Sequence, residues 1–188
     1  MYLIFISAAC SWLFLCVLIQ RFGRCLLDQP NARSSHFRPT PRGGGVVFVL
    51  LTSASSLMAL LSSQSFTLAT LPLLAVPLAA VGLMDDRHDL PASWRYGVQL
   101  LTACFMLGFS PLLQQLSSAV SSDKWLFLLV FGLLVLAVTA VINFTNFMDG
   151  LDGLVASCMG LAIATVSAGI GAPWPLWVLV GALLGFLI

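Results

Sequence analysis

The sequence predicts an all-α fold, a polytopic bundle of transmembrane helices making one integral membrane domain over residues 1–188. Three observations predict it. Hydrophobic residues make up 60% of the chain, charged residues only 8%, and mean hydropathy is +1.03, whereas a soluble domain carries about 25% charged residues. The apolar residues gather in long uncharged runs separated by short polar stretches, the pattern of helices that cross hydrocarbon. Thirteen of the fifteen charged residues fall in three of those stretches, about 21–45, 85–95 and 143–153.

Seven runs read as spans: Tyr2–Ile19, Val46–Leu61, Phe66–Met84, Tyr96–Leu113, Trp125–Ile142, Leu154–Ile170 and Leu176–Ile188. A helix needs roughly 20 residues to cross the hydrocarbon, so several borrow flanking residues and the last is expected to be incomplete. No positive residue precedes the first run and a basic cluster follows it, so it reads as a retained span and not a cleavable signal peptide. That places the N-terminus outside and the Arg21–Arg42 loop in the cytoplasm. Alternation then makes Ser62–Ser65, Gln114–Lys124 and Gly171–Pro175 outer, and Asp85–Arg95 and Asn143–Gly153 inner. Trp125, Trp174 and Trp177 stand at outer ends, where aromatic belts form.

Composition excludes other classes. A net charge of +1 gives no basic field for nucleic acid. Five scattered cysteines with no C-x-x-C pair argue against a disulfide framework or a zinc site. The chain has no glutamate, so acid chemistry rests on Asp28, Asp85, Asp86, Asp89, Asp123, Asp149 and Asp152.

The first inner loop contains "RSSHFRPTPRGGG". Pro39 and Pro41 hold the residues before them extended. Gly43, Gly44 and Gly45 let backbone amides approach an anion, Arg38 and Arg42 add charge, and a helix N-terminus follows. His36 is a secondary binding candidate. The plainer reading of the same residues is a positive-inside anchor with a glycine turn.

The second inner loop, "GLMDDRHDLPASWRYG", places Asp85 and Asp86 side by side at a helix end. Adjacent carboxylates repel unless a cation is near, and oxygen ligands suit Mg²⁺ or Mn²⁺. The alternative is a charged cap, with Arg87, His88 and Arg95 pairing the acids.

In the third, "NFTNFMDGLDGL", Asn143, Asn146, Asp149 and Asp152 recur every three residues. Such a series drifts about 60° per step around a straight helix, so Gly150 and Gly153 are expected to break it and let the polar groups converge. A carboxylate at mid-bilayer costs about 2.5–3.5 kcal/mol on insertion scales, which makes these acids functional candidates. Interfacial water beyond the fifth span is the alternative setting.

Together "PTPRGGG", "GLMDDRHDLP" and "NFTNFMDGLDGL" resemble, in order, signatures of the polyprenyl-phosphate N-acetylhexosamine-1-phosphate transferases. The third matches the family pattern N-x-x-N-F-M-D-G-x-D-G-L throughout, and the first loop resembles the bacterial branch that initiates O-antigen and related surface polysaccharides. The resemblance runs from about Asp28 onward and implies a multi-pass enzyme of the bacterial inner membrane with its active face cytoplasmic. Polyprenyl phosphate, usually undecaprenyl phosphate, would attack the β-phosphorus of a UDP-N-acetylaminosugar, with Mg²⁺ required, giving polyprenyl-diphospho-sugar and UMP. A homodimer is a candidate assembly. By resemblance Asp85, Asp86, Asp149 and Asp152 are the catalytic set, and Asp85 and Asp86 are the metal candidates. Asn143, Asn146, Arg42, Gly43, Gly44 and His36 are then the substrate-binding set. The family's later aspartate and histidine loops have no counterpart here, so the chain corresponds to the N-terminal portion of such an enzyme. The competing classes are a catalytically inactive lipid-binding fragment and a cation-coupled transporter. Transport calls for acids at mid-bilayer depth or an inverted repeat, and the acids here gather at one face.

Overall fold

Each apolar run contributes helix among the described residues. The computed structural model describes residues 2–22, 27–28, 40–41, 43–62, 68–88, 90–120, 123–148 and 153–188, excepting the side chains of residues 22, 27, 28, 40, 41, 86, 87, 147 and 148. The helices are α1 (Tyr2–Phe22), α2 (Gly45–Leu61), α3 (Leu71–Leu74), α4 (Val76–His88), α5 (Ala92–Gly108), α6 (Pro111–Ala119), α7 (Lys124–Met148), α8 (Leu154–Ile170) and α9 (Trp174–Phe186). Within the first polar loop, β1 (Leu27–Asp28) pairs antiparallel with β2 (Thr40–Pro41), setting Leu27 opposite Pro41 and Asp28 opposite Thr40.

Proline sets the breaks that the hydropathy pattern passes over. Pro77 cannot donate to the carbonyl of Leu73, four residues back, so the third run divides at Ala75 into α3 and α4. Pro111 holds Ser110 extended (φ −86°, ψ 148°), which divides the fourth run and bends α5 from α6 by 71°. Part of the stretch expected as an outer loop, Gln114–Lys124, is therefore helix α6. By length and apolarity α1 and α7 can each cross a membrane, and the bent α5–α6 pair makes a third span if counted as one. The remaining apolar helices have 10–17 residues.

The packing centre is α9. Pro175, Val178, Val180, Gly181, Ala182, Leu183 and Gly185 are buried on it, and it touches α1, α2 and α8. The approach to α1 is close enough to exclude side chains. A Cβ on Gly181 would collide with Ser7 Oγ and the Ile4 carbonyl, and one on Gly185 would stand 2.9 Å from both Ser11 Cβ and the Ala8 carbonyl carbon. Ser11 Oγ, fully buried, donates to the Ala182 carbonyl at 2.8 Å. Lipid tails are as apolar as leucine, so helices in a bilayer associate through close contact of small residues, here Gly-x-x-x-Gly against Ser7, Ala8 and Ser11. The pairing runs parallel, as it must if an odd number of crossings lies between the two helices. A second packing group joins α5 to α7 antiparallel, through Ala103, Leu107 and Val135 with Phe131, Leu134 and Val138 around them.

Replacing Gly185 with leucine is expected to destabilise the fold by about 1–3 kcal/mol through overpacking. Gly132→Ala on α7, where a Cβ meets nothing within 4 Å, is expected to leave stability unchanged or slightly raised. Thermal unfolding in detergent measures both, and equal midpoints for the two variants would contradict the close α1–α9 contact.

Candidate active site

The turn from α4 into α5 is closed by Asp85. Its Oδ1 accepts the Leu90 N–H at 2.9 Å, and its Oδ2 accepts Arg95 from the first turn of α5, also at 2.9 Å. The pair is partly open to solvent, with relative exposures of 43% for Arg95 and 23% for Asp85, so the charge attraction alone is worth under about 1 kcal/mol. Geometry is its larger contribution: one carboxylate ties the end of α4, the turn and the start of α5 together. The pairing alternative from the sequence is thus what Asp85 displays towards Arg95. Asp86 follows on the helical backbone of α4, about 100° further around the axis; its side chain lies outside those described. Asp89 lies outside the described residues, and α4 stops at His88.

Gln99 stands one helical turn beyond Arg95, on the same face of α5. Its Nε2 donates to Asn143 Oδ1 at 3.4 Å. One face of α5 thereby reaches the aspartate-bearing turn on one side and the end of α7 on the other. The third polar segment begins inside helix: α7 continues to Met148, with Asn143 half-buried and Asn146 exposed on its last turns. The expected break follows, since Gly153 has φ +75° and α8 begins at the next residue.

The glycine turns meet at the end of α9. Gly43 has φ +87°, where an L side chain is strained. A Cβ on Gly44 would lie 2.8 Å from the Phe186 ring, and one on Gly153 would lie 2.9 Å from Leu187 Cδ2. Phe186 also meets Phe48 of α2 edge-on, with ring centroids 6.0 Å apart. The N-termini of α2 and α8, both anion-favouring by their dipoles, are thus set against consecutive residues of one helix end. Gly44 has a packing reason to be glycine beside any binding role.

Arg42, His36, Asp149 and Asp152 lie outside the described residues. Among the described residues no three His, Cys, Asp or Glu side chains gather as a metal site. Asp85 is the one metal candidate whose side chain is described, and both its oxygens are engaged. The described residues thus supply one carboxylate towards a hard-metal site, and the side chains of the other acids of the predicted set lie outside those described. Gln99 is the residue the sequence reading missed; a glutamine inside an apolar run, four positions after an arginine, was its available signal.

Arg95→Ala is expected to cost under about 1 kcal/mol of stability. Asp85→Ala should cost about 1–2 kcal/mol, because the Leu90 N–H also loses its acceptor. The double variant should be no less stable than Asp85→Ala. Unfolding in detergent checks the series, and fully additive losses would show that the two side chains act separately.

Residues 67–188 match the family described as glycosyl transferase family 4. A curated relative, the undecaprenyl-phosphate alpha-N-acetylglucosaminyl 1-phosphate transferase of Pasteurella multocida (strain Pm70), is 32% identical over 104 residues. That stretch is 55% of this chain and 28% of the relative, so the chain spans less than a third of the relative's length. No solved structure matches. With most of its length inside the family match, and with the aspartate-bearing turn and the α7–α8 segment both within it, the chain belongs to glycosyl transferase family 4.

Proposed function

We propose that this protein transfers an N-acetylaminosugar 1-phosphate from a UDP-sugar to polyprenyl phosphate at the cytoplasmic face of a bacterial inner membrane, in the first membrane step of O-antigen or related cell-envelope polysaccharide synthesis. Family membership supports the class of reaction. The observation that carries the reading to these residues is that α5 holds the Asp85 turn and Asn143 through side chains one helical turn apart. Two polar segments distant in sequence are thereby fixed at one end of the bundle.

A phosphate oxygen of the lipid attacks the sugar nucleotide's β-phosphorus, forming a new P–O bond. The bond from that phosphorus to the bridging oxygen breaks, and UMP departs with the electron pair. Both reactants are anionic, so the protein's task is to hold like charges together in line. Arg42 and the amides of Gly43 and Gly44 are placed by sequence just before α2, whose N-terminus favours a diphosphate. Asn143 and Asn146 offer neutral amides to the sugar nucleotide. In this reading Asp85, Asp86, Asp149 and Asp152 are the acids for proton transfer, and Asp85 and Asp86 would hold Mg²⁺ or Mn²⁺. When bound, such an ion neutralises diphosphate and leaving-group charge. Apart from Asp123 the acids gather in the polar stretches read as inner, which suits this reading better than transport.

Membranes carrying the protein should release UMP from a UDP-N-acetylaminosugar only when polyprenyl phosphate and Mg²⁺ are both supplied. Asp149→Asn should lower that release by at least about 100-fold while leaving the amount of protein unchanged. Unaltered turnover in the variant would refute the site assignment. Retention of polyprenyl phosphate with no UMP release by the wild type would identify a lipid-binding unit instead.

A further inference from the structure

Gln99 is only 7% exposed and is seated between α5 and α7. Its Nε2 reaches Asn143, while its Oε1 is buried with no hydrogen-bond partner among the described residues. A buried unpartnered amide oxygen costs about 1–3 kcal/mol, and a methionine or leucine of similar volume would avoid that cost entirely. Neighbouring positions on the same seam are filled without it. Ala103 and Leu107 pack on Val135, and the buried Thr139 hydroxyl satisfies itself on the Val135 carbonyl, four residues back. Glutamine at position 99 is therefore poorly explained by packing and well explained by what it does to Asn143.

We infer that Gln99 is a positioning residue for the transfer reaction, holding the Asn143 side-chain carbonyl so that the amide N–H₂ group is presented as a fixed donor to the sugar nucleotide. The inference rests on the proposed function, which makes Asn143 a substrate contact. Asn143 is half-buried near the end of α7 and would otherwise be free to rotate its amide, presenting oxygen as readily as nitrogen. An acceptor turned towards a diphosphate repels it; a donor held in place attracts it without reorganisation when substrate arrives. Arg95 acts one turn earlier on the same face of α5, so the helix that orders the aspartate-bearing turn also orders this amide.

The test compares Gln99→Met, Gln99→Leu, Asn143→Ala and the Gln99→Met/Asn143→Ala double variant in membranes. Initial rates of UMP release are measured against UDP-N-acetylaminosugar concentration, and thermal unfolding is measured in detergent. Gln99→Met and Gln99→Leu should unfold no earlier than wild type, yet raise the KM for the sugar nucleotide about tenfold with kcat changed far less, the signature of lost binding. The double variant should match Asn143→Ala alone, because the glutamine acts only through that asparagine. Lower stability of both single glutamine variants with unchanged KM would overturn the inference in favour of a packing role. Additive KM effects, or a harmless Asn143→Ala in an active enzyme, would overturn it as well. Absence of UMP release by the wild type would instead fell the transfer reading itself, and this inference with it.

Discussion

The contact on which the rest of the structure depends is that between α9 and α1. It is short-range and unforgiving, since at Gly181 and Gly185 a single added carbon meets the backbone of the neighbouring helix. In water such a groove would be a minor adjunct to hydrophobic burial. In a bilayer, burial of apolar surface gives little preference for helix over lipid, so close backbone approach and the Ser11–Ala182 hydrogen bond carry the association. With α9 seated, α2 and α8 pack along it, with Gly160 of α8 facing Leu183. The depth of α9 in turn fixes where its last residues stand, and those residues receive the turns at Gly44 and Gly153. A packing motif in the middle of the bundle thus decides where two helix N-termini emerge.

The other half of the candidate site is held differently. Along α5, apolar residues from Ala103 to Leu107 join α7, and the polar side chains of Arg95 and Gln99 take over towards the helix N-terminus. The change from apolar to polar contact occurs along one seam, with Gln99 as buried as Leu107. A partly exposed ion pair adds little stability, yet at a turn of three residues between two helices it selects one geometry among several. The α5 face therefore combines a general fastening, supplied by burial, with a specific one, supplied by directional bonds.

Much of this was legible in the sequence because bilayer spans leave a coarse, strong signal. Leu154–Ile170 coincides with α8, and the glycine break before it appears at Gly153 with positive φ. The breaks at Ala75 and Ser110 were also written in the sequence, in Pro77 and Pro111, but hydropathy averages over single prolines and ran across both. The thirteen-residue run expected as an incomplete last span is the most enclosed helix, since its composition of Gly, Ala and Val speaks of packing where its length speaks only of crossing. "GALLG" spells the close contact with α1, and its meaning depends on which helix faces it, which no local pattern states. Pairings across distance are lost for the same reason: Gln99 and Asn143 are 44 residues apart.

The distribution of hydroxyl and amide bonding separates polar groups that accompany the fold from those that direct it. Thr52, Ser55, Thr139 and Ser157 each donate to a carbonyl three or four residues back on their own chain segment. Such bonds neutralise a hydroxyl inside the bundle without specifying any neighbour. The bonds from Arg95 to Asp85 and from Gln99 to Asn143 do specify neighbours, linking α5 to α4 and to α7. If bundle stability were their sole purpose, they would be expected along the length of α5 and not only towards its N-terminus. They stand together in its N-terminal half, the first partly exposed and the second with Gln99 buried, beside the segments that carry Asp86 and Asp149 in sequence. Directional bonds gathered at one end of a helix fix the orientation of the segments they join, which burial along the rest of α5 does not do.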